Sequence, residues 1–160
     1  MKIRIVFALL GMCMISGCQI NGHLYPVQGS LAALTPAPIF TAKITGTLAP
    51  RTIRAVLGNG EIFSGSWSVP SVKTRAERAA AGTPQPTSLA REWDTVYGQG
   101  FYTAHVLGTR FFAQTVVTGS QGTVLQVEMY RQVHGDDAAA PIDIKGVAKD
   151  SKGNIYKLVL

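Results

Sequence analysis

The sequence predicts an all-β domain, a small antiparallel meander barrel of about eight strands, with a two-sheet β-sandwich as the alternative. Three observations predict it. Beyond Pro38, apolar residues recur with a period of two through most of the chain, as a sheet with one wet face requires. Glycine-bearing turns separate these runs at short intervals and join neighbours as hairpins. The sequence has no clear strand–helix–strand unit, and an even-stranded meander can close on itself and remove its unpaired edges.

Taken in order, Phe40 to Leu48 alternates apolar or small residues strictly with polar ones, and Ala49-Pro50 breaks the run. Ile53, Ala55 and Leu57 share the next inward phase. Gly58-Asn59-Gly60 then turns the chain, because its residues accept positive φ cheaply. Phe63, Gly65, Trp67 and Val69 face one side of the third run, with Ser64, Ser66 and Ser68 on the other. Residues 70–98 read as a long insertion loop whose first half, around Ala79 to Pro86, is low in complexity. Its second half predicts a short helix from Ser88 to Tyr97, capped by Ser88, with Leu89, Trp93 and Val96 on one face.

Further strands are expected at 101–107, 110–118, 123–131, 142–149 and 154–160, each bounded by turn residues. The segments Gly119-Ser120-Gln121-Gly122 and Asp150-Ser151-Lys152-Gly153 both place a glycine just before a new strand. The whole of 39–160 is expected to be a single β domain. The strands are short and their second faces polar, which argues against a barrel that itself crosses a membrane.

The amino end is of another kind. Lys2 and Arg4 precede an apolar run from Ile5 to Ile15, and small residues Ser16 and Gly17 follow, which is the three-part layout of a secretory signal. The run of about eleven residues is too short for a helix that must cross a bilayer with ~20. Ile15-Ser16-Gly17-Cys18 resembles the lipobox of bacterial lipoproteins, an aliphatic and two small residues before an obligatory cysteine. The resemblance implies cleavage between Gly17 and Cys18, removal of 1–17, and a diacylglycerol on the Cys18 thiol. Two or three acyl chains on one residue would hold the protein firmly where a single chain would not. Residues 18–38 then read as a lipidated tether. Gln19, unlike the aspartate that resembles an inner-membrane retention signal, implies the outer membrane, with the domain facing the periplasm.

Cysteine usage agrees with that reading. Of the two cysteines, Cys13 lies in the expected signal, so Cys18 is the one thiol expected to remain, and lipidation accounts for it. No disulfide and no Cys-based metal site or catalytic thiol is then expected. The 160-residue chain less its first 17 leaves 143, enough for one domain with a sizeable core. Without Lys2 and Arg4, 13 basic residues stand against 9 acidic ones, an excess of +4 scattered along the chain. Neither a basic run nor an aromatic-basic cluster points to nucleic acid.

No recognisable catalytic set emerges. His23 falls in the expected tether, His105 in the strand expected at 101–107 as an interior residue, and His134 in a polar turn beside Gly135-Asp136-Asp137. No two of them have the helical spacing of a zinc site. Gly65-Ser66-Trp67-Ser68 lacks the final glycine of a nucleophile elbow and lies in a strand. Glu61, Glu92, Asp94, Glu128 and Asp143 are acids without an evident partner, and Glu92 and Asp94 point to different sides of a helix. The overall texture resembles short Gram-negative lipoproteins, a likeness that brings no activity with it. The expectation is a non-enzymatic binding or structural module that needs no cofactor or metal. Its partners would be the membrane, through lipid on Cys18, and an envelope protein or cell-wall component. The alternative is an inhibitor of cell-wall-degrading enzymes, on a likeness in size to lysozyme-inhibitor barrels. Those rely on disulfides, which this chain lacks.

Overall fold

In a computed structural model the described residues are 19–46, 51–70, 89–107, 109, 112–132 and 143–160. The strands are β1 (Gln19–Gln28), β2 (Phe40–Thr45), β3 (Thr52–Val56), β4 (Ile62–Ser66), β5 (Phe112–Thr118), β6 (Val124–Gln132), β7 (Asp143–Asp150) and β8 (Ile155–Val159). They form one antiparallel sheet in the order β4-β3-β2-β1-β8-β7-β6-β5. Each strand therefore lies beside its sequence neighbour, except that β8 returns to pair with β1 and the gap between β4 and β5 is a seam. That seam is held at both ends. Ser68 and Gln114 exchange N–H···O bonds of 2.9 Å, and Ser120 donates to the Ile62 carbonyl at 2.9 Å. Between them the Thr115 hydroxyl donates to the Ser66 carbonyl at 2.6 Å. The expected eight-stranded meander barrel is present, nearly closed, and the sandwich alternative drops out.

The inward phases follow the sequence pattern. Ala42 and Ile44, Ile53 and Ala55, Phe63, Val117, Val127, Ala148 and Leu158 are buried in one central cluster. An eight-stranded barrel is only wide enough for side chains to fill, and this interior is filled. At Gly22 a Cβ would run into the Val159 carbonyl and the Leu160 side chain, so the position admits no larger residue.

Two expectations are corrected. The stretch 18–38, read as a tether, contains β1, which pairs with both β2 and β8 and buries Leu24 in the core. Its alternation was concealed because two of its inward positions are Gly22 and Pro26, residues that otherwise mark linkers. Pro26 sits where the pairing with β8 shifts register, and its missing N–H is tolerated there. Residues 101–107 form no strand. Tyr102–Val106 is a single turn of π-helix, with Leu107 N–H bonded to the Tyr102 carbonyl at 2.9 Å. The reason is visible in the spacing of Trp93, Tyr97, Phe101 and His105, which recur every four residues as a helical stripe does. Successive rings lie 5.5, 4.7 and 4.7 Å apart, although Gly98 and Gly100 interrupt the helix between them.

The expected short helix is α1 (Ala90–Tyr97), which docks on the outer wall of the barrel. Leu89, Trp93, Val106, Phe112, Tyr130 and Val147 form a second buried cluster beneath it. Ser88, the expected cap, lies outside the described residues; Leu89 holds the cap position and has no side-chain cap of its own. The Glu128 carboxylate serves instead. From β6 it accepts the Leu89 N–H at 2.9 Å and the Trp93 indole N–H at 2.8 Å. One buried anion thus holds a helix start, where amide donors are orphaned and the dipole favours negative charge, and the largest side chain beneath the helix.

Replacing Glu128 by Ala strands both buried donors, and an unmet buried donor costs ~1–3 kcal/mol. Glu128→Ala is expected to lose about 3 kcal/mol in urea unfolding, with Glu128→Gln recovering part of it because an amide oxygen still accepts. A loss under about 1 kcal/mol for the alanine variant would mean that the carboxylate does not hold α1 in place.

Candidate functional site

The two ends of the barrel are built from opposite chemistry. At one end lie the hairpin turns 57–61, 119–123 and 150–154, which share one hydrogen-bond pattern. In each, the first residue donates to the carbonyl of the fifth, at 3.0, 2.7 and 3.0 Å, and the fourth donates back to the first, at 2.9, 3.0 and 3.1 Å. The fourth residue is Gly60, Gly122 or Gly153, with φ of 78°, 86° and 86°, so the positive φ of this three-residue turn falls on glycine each time. Two of these turns are the pair alike in sequence; the third is the Gly58-Asn59-Gly60 signal.

Their inward amides are met by buried carboxylates. Glu61 accepts Thr123 N–H at 3.0 Å, Thr123 Oγ1–H at 2.8 Å and Gln121 N–H at 3.2 Å, with Lys152 Nζ at 3.8 Å. Asp150 accepts Lys152 N–H and Asn154 N–H at 2.9 Å each, Asn154 Nδ2–H at 2.8 Å and the Tyr156 hydroxyl at 2.7 Å. Asn154 Oδ1 in turn accepts Leu31 N–H at 3.1 Å and ties down the connection from β1 to β2. Burial alone pushes the Glu61 carboxyl up. The Thr123 hydroxyl and amide, the Gln121 amide and the Lys152 charge outweigh it and hold the group below its ordinary value of 4.5. Burial, and then the bond to Asp150, pushes the Tyr156 phenol far above its usual range. This end is a hydrogen-bonded plug, and the donors just named are already engaged within the chain.

The opposite end is an apolar mouth. Thr45 pairs with Thr52, Thr52 with Ser66, and Gln19, the first described residue, pairs with Thr45, so β1 begins here. A cavity of about 390 Å³ opens between Ile44, Trp67, Val69, Met129, Ile144 and Leu160, with Phe112, Ala113 and Tyr130 completing its apolar wall. Among the described residues its charged lining residues are Arg51 and Arg131. The Arg51 guanidinium lies 5.2 Å from the Trp67 ring centroid, and the Trp67 indole N–H donates to the Thr45 carbonyl at 3.3 Å. The cavity is blind, because the interior below it is packed with Ala42, Val127 and Leu158 and the far end is plugged. Mouths of small barrels are a usual place for apolar ligands, and 390 Å³ falls within the ~300–1,000 Å³ of ligand pockets, toward the small end.

The residues singled out by sequence fall elsewhere. Gly17, Cys18 and the His134-Gly135-Asp136-Asp137 fragment lie outside the described residues. His105 is exposed on the π-helix, not inside the barrel, and its ring lies tilted against Phe101 at 4.7 Å. His23 is exposed on β1, 6.1 Å from the Tyr25 ring. Glu92 pairs with Lys149 at 2.7 Å, and Asp94 accepts Tyr102 N–H at 3.0 Å, so the two acids do diverge as their i, i+2 spacing predicts. Among the described residues no three His, Cys, Asp or Glu come together as a metal site, and no helix is long and apolar enough to cross a membrane. Trp67 is the mouth residue that the strand alternation already turned inward. Arg51 and Arg131 carried no signal in the sequence, because only closure of the barrel brings β3 and β6 to one rim.

Fold and ends together define a small, blind-ended antiparallel meander barrel with an apolar mouth. No family model matches the chain, and no curated protein or solved structure does either.

The Glu61 carboxyl binds its proton less readily in the folded state than unfolded. Its stabilising share is therefore complete above pH 4.5 and is lost as the pH falls through the lower folded value. Glu61→Gln is expected to be less stable than the wild type at neutral pH, with the gap narrowing steadily below pH 4.5. Urea midpoints measured from pH 7 down to about 3 check this; a gap that stays constant would show that the Glu61 charge carries no weight in the plug.

Proposed function

We propose that the chain is a lipoprotein of the bacterial cell envelope, anchored in the outer membrane by lipid on Cys18, and that its barrel is a non-enzymatic binding module facing the periplasm. The observation that carries the binding part is the apolar cavity that the described residues form at the mouth, opposite an end in which every turn amide named above is met. The anchoring part rests on Ile15-Ser16-Gly17-Cys18. β1 begins at Gln19, directly after the proposed acylation site, so on this reading little chain separates the lipid from the mouth. A barrel held so closely by its mouth end would present the cavity toward the lipid surface.

Intact-mass measurement on fractionated cells, wild type beside Cys18→Ala, tests the anchor. The expected wild-type species begins at an acylated Cys18 in the outer-membrane fraction, and the variant lacks it. An unmodified, soluble wild-type species would overturn the anchor and leave Cys18 a free thiol.

A further inference from the structure

We propose that the outer wall of β2 and β3 docks on an anionic lipid surface through Lys43 and Arg54. The inference goes beyond the binding-module reading, and it rests on the anchor only for where that surface lies. Its first support is charge. The five adjacent strands β4, β3, β2, β1 and β8 contain no acidic residue on either face. Outside the plug, the described carboxylates sit on α1, β6 and β7. On this acid-free wall Lys43 and Arg54 are direct cross-strand partners, and both are exposed. Like charges placed opposite each other destabilise a sheet, and no carboxylate among the described residues pairs with either. Folding asks for nothing of the kind here. Thr41, Thr45 and Thr52 hold the neighbouring outward positions, and threonine suits an exposed strand without charge. The pair is therefore kept at a cost to the sheet, and an anion brought to it removes that cost.

The second support is position. Lys43 and Arg54 lie one outward step from Thr45 and Thr52 at the mouth rim. Asn21, the β1 partner of Lys43, is the third residue after Cys18, which is about 10 Å of extended chain. That reach equals the Debye length in about 0.1 M salt, so the phosphates of a membrane holding an acylated Cys18 would still attract the pair. Asn21 and Ser64 continue the row on either side with short, exposed side chains, which leaves the two cations open to a broad surface. The chemistry also matches: an arginine fork takes two phosphate oxygens, and a lysine adds a compact charge beside it.

All eight strands and both buried clusters lie within 19–160, so the chain from Gln19 onward is the folding unit and carries no lipid of its own. Co-sedimentation at low ionic strength tests the wall, with phosphatidylcholine vesicles beside vesicles that also contain phosphatidylglycerol. Binding is expected to the anionic vesicles only, and it should weaken steeply as salt rises. Arg54→Glu should weaken it about thirtyfold, or ~2 kcal/mol, because reversal removes one attraction of ~1 kcal/mol and adds a repulsion of like size. Its thermal midpoint should be no lower than that of the wild type, since Glu opposite Lys43 turns a like-charged pair into an opposite one. Arg54→Lys should keep the binding. Arg91→Glu makes the same change of net charge on exposed α1, across the barrel, and should bind as the wild type does.

Absence of binding to the anionic vesicles, or equal binding to both kinds, would overturn the proposal. So would equal losses in Arg54→Glu and Arg91→Glu, which would show a response to net charge alone. Retention on immobilised heparin without vesicle binding would also overturn it, and would assign the wall to an anionic polysaccharide. The chain tested lacks Cys18, so a failed wall and a failed anchor are told apart.

Discussion

The turns at the closed end point backbone N–H groups at buried carboxylates, and Glu61 and Asp150 accept them, those of Thr123 and Asn154 fully buried. A buried amide without an acceptor costs about as much as a lost hydrogen bond, and every hairpin of a small barrel raises the same demand. Four residues of the plug, Glu61, Thr123, Asp150 and Asn154, come from three hairpins, so meeting the demand also locks the hairpins to one another. The 119–123 turn cannot shift without uncovering Glu61. The 150–154 turn cannot shift without uncovering Tyr156 and the Asn154 side chain that holds the connection at Leu31. Register around the barrel is thereby fixed at one end, and the alternation of inward and outward side chains follows strand by strand.

The same device recurs on the outer wall. Glu128 is buried like Glu61, and it too is met by N–H donors, the Leu89 amide and the Trp93 indole. A buried carboxylate is expensive to desolvate, and it is tolerated where several donors converge on it. Glu128 stands on an outward phase of β6, between Val127 and Met129 of the interior, so one strand serves the barrel core on one face and the helical cover on the other. That arrangement explains how a sheet strand can be buried on both sides in a chain this short, and why Val147 of β7 packs outward against Trp93 and not inward with Ala148.

Much of this was legible in the sequence, and the parts that were not share a physical cause. Period-two alternation revealed β2, β3, β4 and β5 to β8 within a few residues, because each has a wet face and a dry one. It missed β1, where the barrel's narrow interior demands Gly22 and the register shift against β8 admits Pro26. It also turned 101–107 into a strand, since Phe101, Thr103, His105 and Leu107 alternate as well as a strand would, while the competing four-residue stripe from Trp93 spans two glycines. Glu61 and Glu128 looked unpartnered because their partners are backbone amides, a hydroxyl and an indole. Charge counting pairs acids with bases and overlooks such donors. Trp67 was correctly assigned to the inward face, yet the mouth it lines depends on side chains from β2, β5, β6 and β7 meeting after closure.

The contrast between the two ends bears directly on function. The plugged end shows how this chain closes a barrel when burial is the only requirement: turn amides, carboxylates and a phenol meet in a satisfied network. At the mouth the sequence instead supplies Trp67, Val69, Ile144 and Leu160 around open volume, with arginines at the rim. Apolar surface left open to solvent, as at Val69, weakens solubility, so it is a poor solution to a purely structural problem. The central layer and the plug already hold the strands together without it, since Ala42, Val127 and Leu158 pack below the cavity and the seam is pinned at Ser68 and Ser120. Ile44, Met129, Phe112 and Tyr130 serve the buried clusters as well as the cavity wall, whereas Val69 stands exposed at the rim, and an apolar concavity of that kind is better explained by what it holds than by what it stabilises.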